Sequence, residues 1–292
     1  MFPRPIATRE EGKIFRIATC PAGRTLAVVM DTLDGEIRLR DALSLNPRGT
    51  LMLGATRTAR ACAVAADGRT FIVATPDGVE CFELGTGLAR WSVAAMGDEP
   101  AVAISPDGLN VAVGTSPAGL TVHAIADGAE VSRSVTGGGE PRALLWDSRG
   151  MVSVDARAVE LLGADGRVTS RRAFANDLDE AFEVVAMDAD TFAVAGASAM
   201  AVWLEICERA TGTIRRVLRI DGDRRAEGLA YAGKVLFLAT DGGTYRVDPP
   251  YEQPVRWLPP MGGTHDPTRL APARDGHIVV AARDLRVYRC RS

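Results

Sequence analysis

The chain has 292 residues, of which 47% are hydrophobic and 24% are charged, and its formal net charge is −3. This composition is typical of a globular protein with a large core, and it excludes an intrinsically disordered chain. Acidic and basic residues are interleaved and no basic stripe carries aromatic residues, so nucleic acid is not expected as a partner. No uninterrupted apolar stretch reaches the ~20 residues that a membrane-spanning helix needs, so no membrane contact is expected.

One pattern recurs along the chain: a short apolar run, a tight turn and a second apolar run. The clearest copy has Ala101–Ser105 before the turn, Pro106–Gly108 in the turn and Val111–Gly114 after it. Proline presets φ at one turn position and glycine accepts a positive φ at another. The two apolar runs are therefore expected to fold back on each other as antiparallel strands.

This turn occurs seven times, at steps of 40 to 45 residues. In chain order the turns are Pro21–Gly23, Ala66–Gly68, Pro106–Gly108, Ser148–Gly150, Asp188–Asp190, Ala232–Gly233 and Arg274–Gly276. A period of ~40–45 residues with four strands per unit is typical of propeller blades. The sequence therefore predicts an all-β fold, a seven-bladed β-propeller of four-stranded antiparallel blades that forms a single domain over residues 1–292. In chain order, the predicted blades are 14–53, 60–95, 101–135, 142–174, 176–220, 227–258 and 268–290.

The two ends of the chain predict how the ring closes. Residues 3–9 precede the first blade as a lone extended segment, whereas the last blade has only three predicted strands. Pro3 and Pro5 are compatible with an outer edge strand, where a missing backbone N–H donor is tolerated. We therefore expect residues 3–9 to pair with the last blade and to close the ring.

Two units carry a family resemblance. The matching segments are Glu99–Gly108, Val111–Thr115, Leu120–Ile125 and 127–128 in the third unit, and 65–68, 75–78 and 81–87 in the second. They resemble the degenerate bacterial members of the WD-repeat, or YVTN-like, β-propeller superfamily, although no Trp-Asp dipeptide ends a third strand and no Gly-His dipeptide opens a unit. The resemblance implies a surface for docking partners on the face where the first strands of the blades begin.

The residue types that usually carry chemistry are scattered. Five cysteines occur without a Cys-x-x-Cys pair, at Cys20, Cys62, Cys81, Cys207 and Cys290. We expect reduced, buried thiols, which favours the cytoplasm, with disulfides or a metal site as alternatives. The zinc-binding, phosphate-loop and nucleophile-elbow motifs are absent. No catalytic residue, metal or cofactor is therefore predicted.

Acidic residues recur where the first strand of a blade begins. They are Glu99, Glu140, Glu180, Glu227 and Asp266. The basic residues near the same face are Lys13, Arg60, Arg142 and His265. First strands line the central channel of a propeller, so we expect these residues to surround one mouth of the channel and to bind a partner. The alternative is that these positions are polar because loops are exposed to water.

The predicted function is that of a non-catalytic protein-interaction scaffold or adaptor, with its partner docked on the loop face at the channel mouth. The partner is expected to be another protein with basic residues at the contact, and the chain itself is expected to be a monomer. The alternative is a propeller enzyme, or a small-molecule or metal-binding protein, that uses the carboxylates at the mouth. Converging carboxylates would repel one another and attract a cation such as calcium.

Overall fold

The computed structural model describes residues 3–32, 35–53, 59–75, 77–94, 100–115, 119–135, 139–163, 165–174, 180–261 and 267–290. Three of the predicted site residues, Glu99, His265 and Asp266, lie outside these ranges. The backbone of Glu180 lies within them, but its side chain is not among the described side chains.

The described strands form seven antiparallel sheets of four strands each, which are the blades of a ring. Strand β1 (Ala7–Glu10) precedes the first blade. In blades 1 and 2, from the innermost strand outwards, the strands are β2 (Ile14–Thr19), β3 (Thr25–Met30), β4 (Glu36–Asp41) and β5 (Pro47–Met52), then β6 (Ala61–Val64), β7 (Thr70–Thr75), β8 (Gly78–Glu83) and β9 (Ala89–Val93). In blades 3 and 4 they are β10 (Ala101–Ile104), β11 (Asn110–Thr115), β12 (Gly119–Ala124) and β13 (Glu130–Val135), then β14 (Ala143–Asp147), β15 (Gly150–Val154), β16 (Ala158–Leu162) and β17 (Val168–Ala173).

The last three blades repeat the same order. Blades 5 and 6 contain β18 (Glu180–Ala186), β19 (Thr191–Ser198), β20 (Ala201–Glu208) and β21 (Ile214–Asp221), then β22 (Ala226–Ala232), β23 (Val235–Thr240), β24 (Gly243–Val247) and β25 (Val255–Leu258). Blade 7 contains β26 (Arg269–Ala273), β27 (His277–Ala281) and β28 (Asp284–Arg289). The predicted all-β, seven-bladed fold is confirmed. The described residues include no helix that is long and apolar enough to cross a membrane.

The second strand of each blade lies in the core between neighbouring blades. In blade 1, Thr25–Met30 is buried along its whole length. Strands that are covered on both faces are apolar without alternation. Val29 of this strand belongs to the same buried cluster as Phe71 and Val73 of blade 2. Burial of each such side chain contributes about 1.5–3 kcal/mol, so the apolar runs hold the blades side by side.

Polar side chains also join adjacent blades. The indole N–H of Trp91 in blade 2 donates to the carbonyl oxygen of Ile125 in blade 3 at 2.8 Å. Arg209, whose side chain is buried in blade 5, donates through Nε to Asp147 Oδ2 of blade 4 at 2.9 Å. These bonds fix the angle between blades, and therefore the positions of the innermost strands around the channel.

The N-terminal segment closes the ring by pairing with the last blade. Strand β1 lies antiparallel to β28, with Ala7 opposite Val287 and Glu10 opposite Asp284. The backbone N–H of Ile6 adds a bond of 2.8 Å to the carbonyl oxygen of Val287. The expected closure by the N-terminal segment is confirmed, but the expected span of residues 3–9 is wrong, because the paired strand is Ala7–Glu10 and begins beyond the prolines that cannot donate to the ladder.

The residue after β1 connects the closing strand to the first blade. The side chain of Glu11 is fully buried and accepts hydrogen bonds from Arg40 Nε at 2.8 Å and from Arg38 Nη1 at 2.7 Å. Both arginines belong to β4, the third strand of blade 1. We call Glu11, Arg38 and Arg40 the seam cluster, because they join blade 7 to blade 1.

The recurring turn of blade 1, which lies at the seam with blade 7, requires glycine because of its backbone conformation and because of close packing. Gly23 has φ of +61°, and a Cβ there would collide with the backbone nitrogen of Arg274 in the corresponding turn of blade 7. Gly108 has φ of +73°, but a Cβ there would meet no heavy atom within 4 Å. Gly108→Ala is therefore expected to cost about 1 kcal/mol from backbone strain alone. Gly23→Ala should cost at least about 1 kcal/mol more through overlap between blades, as measured by urea unfolding. Equal losses in the two variants would contradict close packing of these turns.

Candidate functional site

The innermost strands surround a central channel, and a cavity of about 630 Å³ lies at the end where these strands begin. Residues from all seven blades line the cavity. In six blades they come from the start of the innermost strand or from the residues just before it, and in blade 5 they are Glu183 and Val184 in the middle of β18. This is the end of the channel at which the sequence predicts the docking residues.

The described lining of the cavity is rich in arginine. Its charged residues are Arg16, Arg60, Arg142, Arg225 and Arg269, together with Glu183 and Glu227. Five arginines against two glutamates leave an excess of three positive charges, although the chain as a whole carries a net charge of −3. A confined cavity with walls of low dielectric constant concentrates such a field, so this lining attracts anions.

Three of the arginines directly precede an innermost strand, in blades 2, 4 and 6. The backbone N–H of Arg60 donates to the carbonyl oxygen of Ala74 at 2.7 Å, and that of Arg142 donates to the carbonyl oxygen of Val154 at 2.8 Å. These bonds extend the strand ladders by one residue and fix the backbone from which each side chain departs. The backbone of Arg225 is held by a side chain instead, because the backbone N–H of Arg225 donates to Asp241 Oδ1 at 3.1 Å.

Irregularities in the ladders place other charged residues at the channel. The pairing shifts by one residue between Ile14 and Arg16 in β2, and between Ala181 and Glu183 in β18. A third shift, in β22, leaves Glu227 as the extra residue. A β-bulge turns side chains away from the positions that strict alternation would give them. Bulges thus accompany charged channel residues in blades 1, 5 and 6.

Arg16 and Glu183 form an ion pair from opposite sides of the channel. Arg16 Nη1 lies 3.6 Å from Glu183 Oε1, and about a third of each side chain is exposed. This distance is longer than a hydrogen bond, so the contact is a Coulombic attraction in a partly wet site. Blades 1 and 5 are therefore linked only weakly here.

Arg269 is the most deeply held arginine of the cavity. Its Nε donates to the carbonyl oxygen of Phe15 at 2.9 Å, and its Nη1 donates to that of Glu227 at 2.6 Å. Burial, together with the smaller effect of the positive charge of Arg16, lowers the pKa of Arg269 to about 10. Arg269 thus connects blades 6, 7 and 1, and its lowered pKa reflects first its burial and then the positive charge of Arg16.

Burial shifts the pKa of two other titratable groups in the lining, the carboxyl group of Glu227 and the thiol of Cys62. Burial raises the pKa of Glu227, although its carboxylate accepts a hydrogen bond of 2.7 Å from the backbone N–H of Thr268. Burial raises the pKa of the Cys62 thiol to about 12, against the smaller opposing effect of Arg16. A thiol with this pKa is protonated at neutral pH and is a poor nucleophile or metal ligand.

The sequence-predicted site residues are distributed over several places. Glu227, Arg60 and Arg142 line the central cavity. Glu140 lines a second cavity of about 150 Å³, where its Oε1 is buried without a hydrogen-bond partner in the described part of the chain. Lys13 pairs with Asp31 at 2.5 Å on the surface. Because Glu99, Asp266, His265 and the side chain of Glu180 are not described, the predicted arc of five acids remains a prediction.

Arg16, Glu183, Arg225 and Arg269 line the cavity but are not among the site residues predicted from the sequence. A signal was available, because an arginine falls at or next to the start of the innermost strand in four of the seven blades, and Arg16 lies two residues after the start in a fifth. The described histidines are not part of the cavity. Nδ1 of His123 contacts the carbonyl oxygen of Gly128 at 3.1 Å, and Nδ1 of His277 contacts that of Arg274 at 3.0 Å. No group of three or more His, Cys, Asp or Glu side chains that could hold a metal occurs within the described residues.

Comparisons with known proteins identify the fold and nothing finer. No protein-family model matches the chain, and no curated protein sequence matches it. A solved structure that the chain resembles is the hydrazine synthase of Kuenenia stuttgartiensis, with a TM-score of 0.75 and 18% sequence identity. The match covers 99% of this chain and 96% of that chain. At this identity the likeness concerns the fold alone, and the chain is a seven-bladed β-propeller.

Proposed function

We propose that this β-propeller is a non-catalytic protein-interaction scaffold whose partner docks on the face where the innermost strands begin. The observation that carries the proposal is the charged cavity of about 630 Å³ at that end of the channel, to which all seven blades contribute. Such a surface suits recognition, because its charged groups stand on strands whose positions are fixed by ladders and by contacts between blades.

The resemblance to WD-repeat propellers supports the choice of face. In that superfamily, partners usually dock where the first strands begin, and the second and third units here carry the resemblance. The acids predicted at five of these positions would favour a partner that is basic at the rim, whereas the arginines of the cavity would attract acidic groups of the same partner, since opposite charges speed association and fix orientation.

The state of the lining residues supports a non-catalytic role. The Glu183 carboxylate is paired with Arg16, and the Cys62 thiol is protonated at neutral pH. The alternative of a propeller enzyme rests on Glu227, because a carboxyl group whose pKa is raised by burial can serve as a general acid. The five cysteines are free thiols, which fits our proposal that the protein acts in the cytoplasm; we also propose that the chain is a monomer.

Charge reversal at the rim tests the proposed docking face. Replacement of Glu99, Glu140 and Glu180 together by Lys is expected to reduce at least about tenfold the amount of the main partner protein that co-purifies from the native host, because a basic partner would then be repelled. The measurement is quantitative mass spectrometry of the proteins that co-elute with the tagged chain, with a thermal melt of each variant.

The matched control reverses two exposed acids at the other end of the innermost strands. Asp107 follows β10 and Asp275 follows β26, in turns on the opposite face. Replacement of both by Lys should leave co-purification unchanged. Equal losses from both variants, or a loss from the control alone, would show that the partner docks elsewhere.

A further inference from the structure

The central cavity has the size and charge of a site for a small anionic ligand. Its volume of about 630 Å³ falls within the ~300–1,000 Å³ that is usual for small-molecule pockets. Its described lining has the three excess positive charges noted above, and these come from blades that are far apart in the sequence. Arginines brought together in this way repel one another, so the site is stabilised by any anion that enters it.

Two of these arginines have donors without a partner among the residues that the structure describes. Nε of Arg16 and Nε of Arg60 are both buried, and neither has a hydrogen-bond partner in the described part of the chain. An unpaired buried donor is costly, and a ligand oxygen that pairs with it removes the cost. The Nε edge of a guanidinium group presents two parallel N–H donors, which match the spacing of carboxylate or phosphate oxygens.

Glu183 partly neutralises the site from within. Its carboxylate reaches Arg16 from the opposite side of the channel but stops at 3.6 Å, beyond hydrogen-bonding distance. It is therefore a weak internal counter-ion, which an incoming oxyanion with better geometry would displace from Arg16. The charges of Arg16 and Glu183 both affect the pKa of the Cys62 thiol, so this ion pair lies close to Cys62. Cys62 belongs to β6, the innermost strand of blade 2, and Arg60 immediately precedes that strand.

We propose that the central cavity binds a small polyanion, a molecule with a phosphate group or several carboxylate groups, through the guanidinium groups of Arg16 and Arg60. Arg142 and Arg225 add positive charge to the same cavity, and Glu183 competes with the ligand for Arg16. This binding does not depend on the docking of a protein partner, and it is measured on the purified chain alone.

Calorimetric titration with inorganic pyrophosphate and with citrate tests this site. At low ionic strength the native chain is expected to bind at least one of them, and added salt should weaken binding because the attraction is screened. Arg16→Gln and Arg60→Gln should each weaken binding about tenfold or more. Glu183→Gln should strengthen binding several-fold, because the competing carboxylate is lost, and no unfolding artefact would produce this gain.

Two further variants separate a specific site from general electrostatics. Arg133→Gln removes the same charge from an exposed arginine on β13, which pairs with Glu130, and should leave the affinity unchanged. Arg60→Lys keeps the charge but loses the parallel donors, so its affinity should lie between those of the native chain and Arg60→Gln.

The outcomes that overturn the proposal are defined by the same titrations. Absence of binding to both the native chain and Glu183→Gln would exclude the site, and so would an equal loss in Arg133→Gln and Arg60→Gln. Binding of a hexaglutamate peptide without binding of pyrophosphate or citrate would show that the cavity accepts an acidic protein segment and not a small molecule. Failure of the rim variants to lose their partner would leave these results unaffected.

Discussion

Deletion of residues 1–10 is expected to open the ring and to cause aggregation. The deletion removes β1, so the backbone N–H and C=O groups along the outer edge of β28 lose their partners. It also uncovers the buried cluster that contains Leu285 and Val287, against which Ala7 packs. An unpaired, apolar edge strand is a template for association between chains. At about 1 kcal/mol for each ladder hydrogen bond, we expect a loss of about 4 kcal/mol or more in the free energy of unfolding.

Deletion of residues 1–5 provides the matched control. It removes both prolines of the segment but keeps Ile6 and the whole of β1, so the pairing with β28 is unchanged. Light scattering coupled to size-exclusion chromatography, together with thermal melts, compares the two deletions with the full chain. If the ten-residue deletion elutes and melts like the five-residue deletion, ring closure by β1 contributes nothing to stability.

The fold could be predicted because its signal is local. Each turn between a first and a second strand needs residues that suit a tight reversal, and Gly23, Gly68 and Gly108 all have a positive φ there. Such positions favour glycine for steric reasons that do not depend on the rest of the protein. Repetition at a nearly constant step then gave the number of blades. Closure could be predicted from the same count, since one outer strand was missing at one end of the chain and one strand was spare at the other.

The arginine-lined cavity could not be predicted in the same way, because it exists only after the ring has closed. Arg16 and Glu183 belong to blades 1 and 5 and meet across the channel, so their contact depends on the angles between all the blades. Bulges beside both residues decide where the side chains point, and strict alternation along a strand does not reveal a bulge. The site residues predicted from the sequence all lie at or within a few residues before a predicted first strand, because the repeated turn fixes only that position.

The seam cluster was missed for a related reason. Glu11 follows Glu10 and resembles an ordinary solvated residue in the sequence, whereas the structure buries its side chain completely. Arg38 and Arg40 alternate along β4 and could equally have faced water. Only the pairing of β1 with blade 7 brings the carboxylate and the two guanidinium groups together.

Replacement of Glu11 by Ala is expected to destabilise the protein by about 3–5 kcal/mol, because it leaves the buried Arg40 without its counter-charge, whereas Arg38 keeps its pair with Glu36. Urea unfolding monitored by fluorescence measures this loss. Replacement of Glu130 by Ala is the control, since Glu130 pairs with Arg133 on the exposed outer strand β13. That variant should unfold almost as the native chain does. Comparable losses in the two variants would mean that the seam cluster is no stronger than a surface ion pair.

The pH dependence of unfolding gives a second, independent test of Glu11. Hydrogen bonds and Coulombic attraction from Arg40 and Arg38 outweigh the opposing effect of burial and lower the pKa of Glu11 below its ordinary value of 4.5. A carboxyl group with a lowered pKa in the folded state contributes its full stabilisation above the pKa of the unfolded state, and this contribution is lost as the pH falls through the folded-state value. The difference in unfolding free energy between the native chain and Glu11→Gln should therefore be constant above about pH 5 and should shrink on further acidification. If the difference stays constant down to pH values at which carboxylates protonate, the charge of Glu11 does not stabilise the seam, and shape alone accounts for its burial.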